Sequence, residues 1–429
     1  MSTQQLSGPD HAIAVPRPAI GVGTPKVRPE HWHLPATVAF YLQASIVIFF
    51  LAGSSAPTPL YAVYQAEWGF SPITTTMVFG IYALAVLVAL LVVGSLSDHV
   101  GRRPVLLVAL VVQAAVMLLF AYADGVPELM LARVIQGLAT GSAVGAIGAG
   151  MLDIDRAKGT VANSVAPLIG TATGGLLSGL LVQYLPIPTH LVYLALAGVF
   201  VIQAVGVSLM AETATTRPGA MASLRPQFGV PPHIRRPVAA AIPALVAIWA
   251  LAGFYGSLGP SLVRVVSGSS SFVVAGAALG VLAGSGAVAV LVLHGTEGRR
   301  MMAIGVVSLI VGVGLTLVAV TQSSTVIFFA GTVVAGVGFG AAFQGAIRTV
   351  IPLAAPHQRS GLLSILYVVS YLAMGLPAVL AGVLVVNDGS VLTTAREYGA
   401  AVMLLAALAL LGLARRPARL VCPDAPALH

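Results

Sequence analysis

Twelve apolar runs follow one another along this chain, and they leave few folds open. Each approaches or exceeds the roughly 20 residues a helix needs to cross the hydrocarbon core of a bilayer. They fall at 37–62, 71–93, 104–123, 127–151, 160–184 and 187–210, then at 237–262, 270–293, 301–320, 324–347, 360–386 and 393–414. Composition agrees. Of the 429 residues only 8% are charged, against about 25% in a soluble domain, so most of the surface must face lipid. The 47 glycines suit helices that pack closely where no hydrophobic drive pushes them together. A single cysteine, Cys422, excludes a disulfide framework and a cysteine-based metal site. The expected fold class is all-α, a membrane protein of twelve transmembrane helices.

The segment 212–236 interrupts the series with Arg217, Arg225, Arg235 and Arg236 among prolines, and divides the chain six plus six. Residues 36–211 then form one bundle and 237–414 a second, joined by a cytoplasmic linker. Residues 1–35, polar and rich in proline and glycine, contain no apolar core of signal-peptide length and read as a disordered cytoplasmic tail. Residues 415–429 read as a cytoplasmic C-terminal tail. With the N-terminus in the cytoplasm, 18 of the 21 lysines and arginines fall on the inner side. Only Arg264 and Arg396 fall outside, and Arg133 lies within a span. This bias is the positive-inside pattern of a multi-pass protein of the cell's inner membrane. The net charge of +8 is therefore loop charge, and no basic stripe with interleaved aromatics points to nucleic acid.

The halves echo each other. "GRR" at 101–103 follows the second span and recurs at 298–300 after the eighth. "SSAPTPLY" (54–61) ends the first span and "GSLGPSLV" (256–263) the seventh. Small residues and a proline near the outer face break both. Parallel repeats of this kind build transporters whose two bundles rock against each other.

Between the second and third spans stands "GSLSDHVGRRPVLL" (94–107). It resembles the signature of the major facilitator superfamily, G-x-L-x-D-R-x-G-R-R-x-x-L. Gly94, Leu96, Asp98, Gly101, Arg102, Arg103 and Leu106 match, and His99 stands where the signature has arginine. The resemblance implies a conformational gate: Asp98 meets the N-terminal end of the eleventh span, near "PHQRSGLL" (356–363), and holds the cytoplasmic side shut. It also implies that spans 1, 4, 7 and 10 line a central cavity.

"LARVIQGLATG" (131–141) resembles the family's fourth-helix signature, R-x-x-x-G, with Arg133 and Gly137 in place. Arg133, Gln136 and Thr140 share one helical face. A guanidinium within a span is costly enough that it normally faces a wet cavity. Further candidates for the cavity are Gln43, Ser54, Thr58 and Tyr61 on the first span, and Trp249, Phe254 and Tyr255 on the seventh. Phe339, Phe343 and Gln344 on the tenth and Tyr367 and Tyr371 on the eleventh complete the set. None of the 13 aspartates and glutamates lies in the middle of a span. A strongly cationic substrate would lack a counter-charge there, which favours neutral or anionic amphipathic compounds.

The fifth span reads "APLIGTATGGLLSG" (166–179). It is similar to the exporters' signature G-x-x-x-G-P-x-x-G-G in Gly170, Gly174 and Gly175. Ala166 replaces the first glycine and Thr171 the proline that bends the helix. The expectation is a secondary transporter that works by alternating access, exports a small amphipathic molecule and draws on a proton gradient. It needs no cofactor or metal, acts as a monomer and is not an enzyme. A proton-driven importer of an organic anion, with Arg133 as the anion's partner, is the same-class alternative; a non-transporting receptor or scaffold is the other. No phosphate loop of the G-x-x-x-x-G-K-[ST] type couples it to ATP.

Overall fold

The computed structural model describes residues 33–414. The first half contains α1 (Ala36–Ser55), α2 (Pro57–Trp68), α3 (Pro72–Val92), the single turn α4 (Ser97–Val100), α5 (Arg102–Ala121), α6 (Val126–Ile154), α7 (Arg156–Tyr184) and α8 (Pro188–Ser208). A linker carrying the short α9 (Ala220–Ser223) leads to the second half. That half contains α10 (Arg235–Ser257), α11 (Gly259–Ser267), α12 (Phe272–Val292), α13 (Gly298–Gln322), α14 (Thr325–Val350), α15 (Arg359–Asp388) and α16 (Val391–Ala414). Among the described residues twelve helical stretches are long and apolar enough to cross a membrane. The tails, 1–32 and 415–429, lie outside the described residues. Following the orientation expected from the charges, the end carrying Gly101 is called the inner end.

Both expected breaks are present. The first span is interrupted at Ala56 and the seventh at Leu258, each just before a Pro-containing turn that opens α2 or α11. Proline lacks the N–H that would continue the ladder, so the chain restarts as a new helix. The seventh span begins at Arg235, preceded by a 3₁₀ turn at Pro232–Ile234, so it reaches two residues into the expected linker.

Each half has its own buried core. Ile46, Phe50, Leu106, Leu110, Met117, Ile147 and Phe200 centre the first; Leu245, Ile248, Val306, Leu309 and Phe328 centre the second. Glycine sets how closely the helices approach. Gly305 and Gly312 on α13 face Ala342 and Ala335 on α14, and a Cβ on either glycine would collide with the opposing backbone. Gly331, Gly338 and Gly345 return the pattern from α14 at seven-residue spacing. Small residues let such backbones touch, and dispersion and close packing then hold them without help from water.

The halves meet chiefly along two helix pairs, α3–α15 and α7–α12, and Val165 of α7 also joins a small buried cluster with Ala287, Val290, Met301 and Ala341 of the second half. On α3, Gly80 and Ala83 lie against Gly375 and Val379 of α15, and Thr76 against Gly382. On α7, Gly175 lies against Gly276, and Gly179 against the Phe272 backbone of α12.

Candidate functional site

The loop between α3 and α5 is organised by Gly101. Its φ of 101° and ψ of 154° lie in a region essentially restricted to glycine. A Cβ there would also stand 2.6 Å from the Glu212 carboxylate. The turn presents the first N–H groups of α5, and Glu212 accepts from Arg102 N–H at 2.8 Å and Arg103 N–H at 3.0 Å. A helix N-terminus has donors without internal partners and favours an anion, so this carboxylate caps α5. The Arg102 guanidinium pairs with Asp98, donates to Ser97 Oγ at 2.8 Å and reaches Asp153 Oδ2 at 3.4 Å. Arg103 donates to the Ser208 carbonyl at the end of α8. Gly145 of α6 lies against the Gly94 backbone at the α3 exit, and a Cβ on Gly94 itself would collide with the Leu90 carbonyl one turn back. These residues tie together the inner ends of α4, α5, α6 and α8, all within one half.

One expectation is corrected here. Asp98 does not meet the start of the eleventh span; it pairs with Arg102, and its side chain is 52% exposed. The first turn of α15 meets the linker instead: Ser360 Oγ donates to Gln227 Oε1 at 3.4 Å and Gly361 lies against Gly229. The same linker holds the other partner, since Arg217 N–H donates to the His99 carbonyl at 3.0 Å and Ser95 Oγ to the Ser223 carbonyl at 2.9 Å. The reason lies in which ends are joined. Among the described residues, the direct hydrogen bonds between halves sit at the outer end, from Thr58 Oγ1 to the Gly256 carbonyl (3.2 Å) and from Phe272 N–H to Gln183 Oε1 (2.9 Å). At the inner end the linker alone supplies the hydrogen bonds that bridge them. The direct hydrogen bonds between the halves thus lie at the end opposite Asp98, while toward the inner side the halves touch through apolar side chains, Val165 of α7 with Ala287, Val290, Met301 and Ala341.

Arg133 is fully buried, at 0% exposure, inside the first half. It donates to the Ser54 carbonyl (2.9 Å), to Gln136 Oε1 (2.8 Å) and to the Tyr61 hydroxyl. Its guanidinium carbon lies 5.6, 5.3 and 5.7 Å from the ring centres of Tyr61, Tyr82 and Phe120. Acceptor oxygens and ring faces therefore solvate the charge, and no described carboxylate pairs with it. Gln136 also donates to the Gly53 carbonyl at 3.0 Å, and Tyr82 shares a 2.5 Å hydrogen bond with Ser54. Thr140, Gln43 and Gln113 are buried nearby on the same half and keep polar atoms without a partner. The sequence stripe Arg133–Gln136–Thr140 is real, but it faces the bundle interior rather than an open cavity.

The remaining candidates separate by face. Thr58 belongs to the outer seal. Tyr255 is buried within the second half, where its hydroxyl meets Thr332 at 3.0 Å. Trp249, Phe343, Gln344 and Tyr367 are half-buried. Trp249 lies 5.7 Å from Tyr371 in a stacked arrangement at 30°, and 5.4 Å from Phe343 edge-on at 88°. In the glycine motif of α7, Gly170 and Gly174 seat the helix against α1, while Gly175 faces α12 across the halves. A proline is present after all. Pro167 lies within α7 one turn before Thr171, whose hydroxyl donates to the Pro167 carbonyl at 3.0 Å.

Glu212, Asp153, Tyr82, Phe120 and Gln113 were not singled out from the sequence. Glu212 could have been: it is an acid at the inner end of the sixth span, on the side that carries the paired arginines. Tyr82 and Phe120 carry no local signal, because they sit in ordinary apolar runs.

A family model described as Major Facilitator Superfamily matches residues 44–296. An MFS-type transporter, mpsC, of Macrophomina phaseolina (strain MS6) is 32% identical over 164 residues, 37% of this chain and 32% of that protein. An uncharacterised MFS-type transporter, YybF, of Bacillus subtilis (strain 168) is 26% identical over 148 residues, covering 32% of this chain and 36% of that protein. The matched stretches thus span about a third of these relatives' own length. Among solved structures, the nucleoside transporter NupG superposes with a TM-score of 0.68 at 14% identity, over 87% of this chain and 99% of that one. A bacterial homologue of the human lysosomal transporter Spinster, inward-facing and unoccupied, superposes with a TM-score of 0.71 at 12% identity, over 88% and 97%. At such identities the likeness is one of fold.

Proposed function

This chain belongs to the Major Facilitator Superfamily, and we propose that it is a secondary transporter that moves a small molecule across a membrane by alternating access. The observation that carries this reading is the asymmetry between the ends. Thr58–Gly256 and Gln183–Phe272 join the halves outside, whereas inside the hydrogen bonds between them run through the linker. The two halves also share apolar packing, including Val165 of α7 against Ala287, Val290, Met301 and Ala341 toward the inner side. Such packing is non-directional, so halves whose direct hydrogen bonds lie at one end can exchange those bonds for others at the opposite end. Asp98 is free to take part, because it is half exposed and its side chain has one partner among the described residues, the Arg102 guanidinium, in a pair that water screens from the aspartate side.

The direction we assign is export, on the likeness of Gly170, Gly174 and Gly175 to the exporters' glycine signature. The substrate is small, amphipathic and neutral or anionic, because no acid stands in the middle of a span to balance a cation. A proton gradient supplies the energy, the protein works as a monomer in the cell's inner membrane, and both termini are cytoplasmic. An anion-importing role for Arg133 gains no support from its position, walled off by Tyr61, Tyr82 and Phe120.

The test is a substrate panel in proteoliposomes under an imposed pH gradient, comparing wild type with Arg133→Ala. Gradient-driven movement of amphipathic compounds out of the cytoplasm-equivalent side is expected, and weakened in the variant. No compound moving in either direction would remove the transport reading; accumulation of organic anions alone would replace export with import.

A further inference from the structure

Resting on the transport reading, we propose that the substrate carries a flat aromatic or conjugated ring with a hydrogen-bond acceptor on its edge, received by Trp249, Phe343, Tyr367 and Tyr371 of the second half. The position comes from helix geometry. Gly256 of α10 meets Thr58 and Phe79 at the outer seal. Trp249 lies seven residues before it, two turns toward the inner end on the same face, or about 10 Å. On α15 the residues that face α3 are Gly382, Val379 and Gly375. Tyr371 and Tyr367 continue that face one and two turns farther in, about 6 and 12 Å past Gly375. These rings therefore hang directly beneath the seal, near mid-membrane, on the faces the two halves turn toward each other.

Their state differs from that of the aromatics that only pack. Tyr64, Tyr193 and Phe120 in the first half are sealed, with Tyr64 donating to Tyr193 at 3.1 Å. Tyr255 is bonded to Thr332, and Tyr398 donates to the Ala250 carbonyl at 2.8 Å. By contrast, Trp249, Phe343, Tyr367 and Tyr371 remain half-buried. The Trp249 indole N–H has no acceptor among the described residues. A buried indole N–H ordinarily finds one, so the group is left for something that arrives.

Geometry and charge select the ligand. Trp249 stacks with Tyr371 at 30° while Phe339 and Phe343 stand edge-on to it at 85° and 88°. Walls of mixed face and edge accept a flat ring in stacked and T-shaped contact at once. Aromatic faces also draw cations, but no acid lies in the middle of any span to balance one. An acceptor on the ring, a carbonyl or carboxylate, pairs with Trp249 Nε1–H.

The three tryptophans are Trp32, Trp68 and Trp249, so the full-length Trp32→Phe/Trp68→Phe protein reports from Trp249 alone. Its fluorescence lifetime would be followed in detergent during titration with coumarin, 2-naphthoate, tetraethylammonium and octanol. Shortening by coumarin and 2-naphthoate at concentrations about tenfold below those of the other two is expected. Equilibrium dialysis of labelled coumarin then compares variants. Trp249→Phe keeps the ring and loses one hydrogen bond, raising Kd about tenfold. Phe343→Leu also raises it, and Tyr255→Phe leaves it unchanged. Equal response to all four probes, or coumarin binding unchanged in both Trp249→Phe and Phe343→Leu, would overturn the proposal. Failure here with gradient-driven transport of non-aromatic compounds intact would sink the ring alone; ring binding with no transport of any compound would sink the transport reading instead.

Discussion

Arg133 keeps its charge inside a bundle by spending both terminal nitrogens of its guanidinium on neutral acceptors, while Nε is buried without a partner among the described residues. The partners lie in different directions, on α1 and α2 and one turn along α6. A lysine has the charge but not the planar fork, so it can reach fewer of them. Arg133→Lys is expected to lose about 1.5–3 kcal/mol for each charge-assisted bond left unmade, read as a lower thermal midpoint in detergent. An unchanged midpoint would mean that the fork geometry is not what holds this cluster. Gly101 makes a second residue-scale case. Gly101→Ala puts a side chain into a glycine-only backbone region, at about 1–3 kcal/mol, and displaces the Glu212 cap as well. Glu212→Gln, which keeps one acceptor oxygen, should cost less in the same thermal measurement. Both glycine and signature are visible in the sequence, but the carboxylate they shelter is not, since it arrives from 110 residues downstream.

Among elements, the two cross-half pairs, α3–α15 and α7–α12, act through glycine. Gly175 faces Gly276 where the backbones nearly touch, so Gly175→Leu must pry α7 from α12. Limited proteolysis or cysteine labelling should then find the outer ends more open, while each half stays folded; an unaltered labelling pattern would show that the seam tolerates bulk. The start of α7 is a separate case. Asp155 caps it by accepting from Lys158 N–H at 3.0 Å, which holds its carboxyl below the ordinary value of 3.8. A depressed carboxylate contributes stability above that ordinary value and loses it as pH falls through the lower folded one. Asp155→Asn retains the cap and drops the Lys158 pair. Its acid unfolding curve should therefore run flatter than wild type below pH about 4. The element boundaries themselves were legible, because hydropathy and proline breaks are local properties. The observed helices begin and end within a few residues of the expected runs, apart from α7 and the outer extensions α2 and α11, which the continuous apolar runs blurred.

For the whole molecule, the gating role proposed for Asp98 is tested by how its loss moves the contact between the halves. Here Asp98 is half exposed and bound only to Arg102, a contact worth about 0–1 kcal/mol. Asp98→Asn should leave the stability of this arrangement nearly unchanged. If the aspartate meets α15 when the outer side opens, the variant should show less labelling of outer-seam cysteines such as Thr76→Cys. Equal labelling would leave the acid without a gating role. Twelve crossings, the division into two halves, the inner loop signature and the family resemblance could all be read from the chain, because each rests on composition or spacing over short distances. What only the tertiary structure decided is who meets whom: Glu212 under Gly101, Arg133 enclosed by rings, Asp98 away from α15, and four aromatics beneath the outer seal. Those contacts depend on how helices distant in sequence are placed against one another, and no local pattern records that placement.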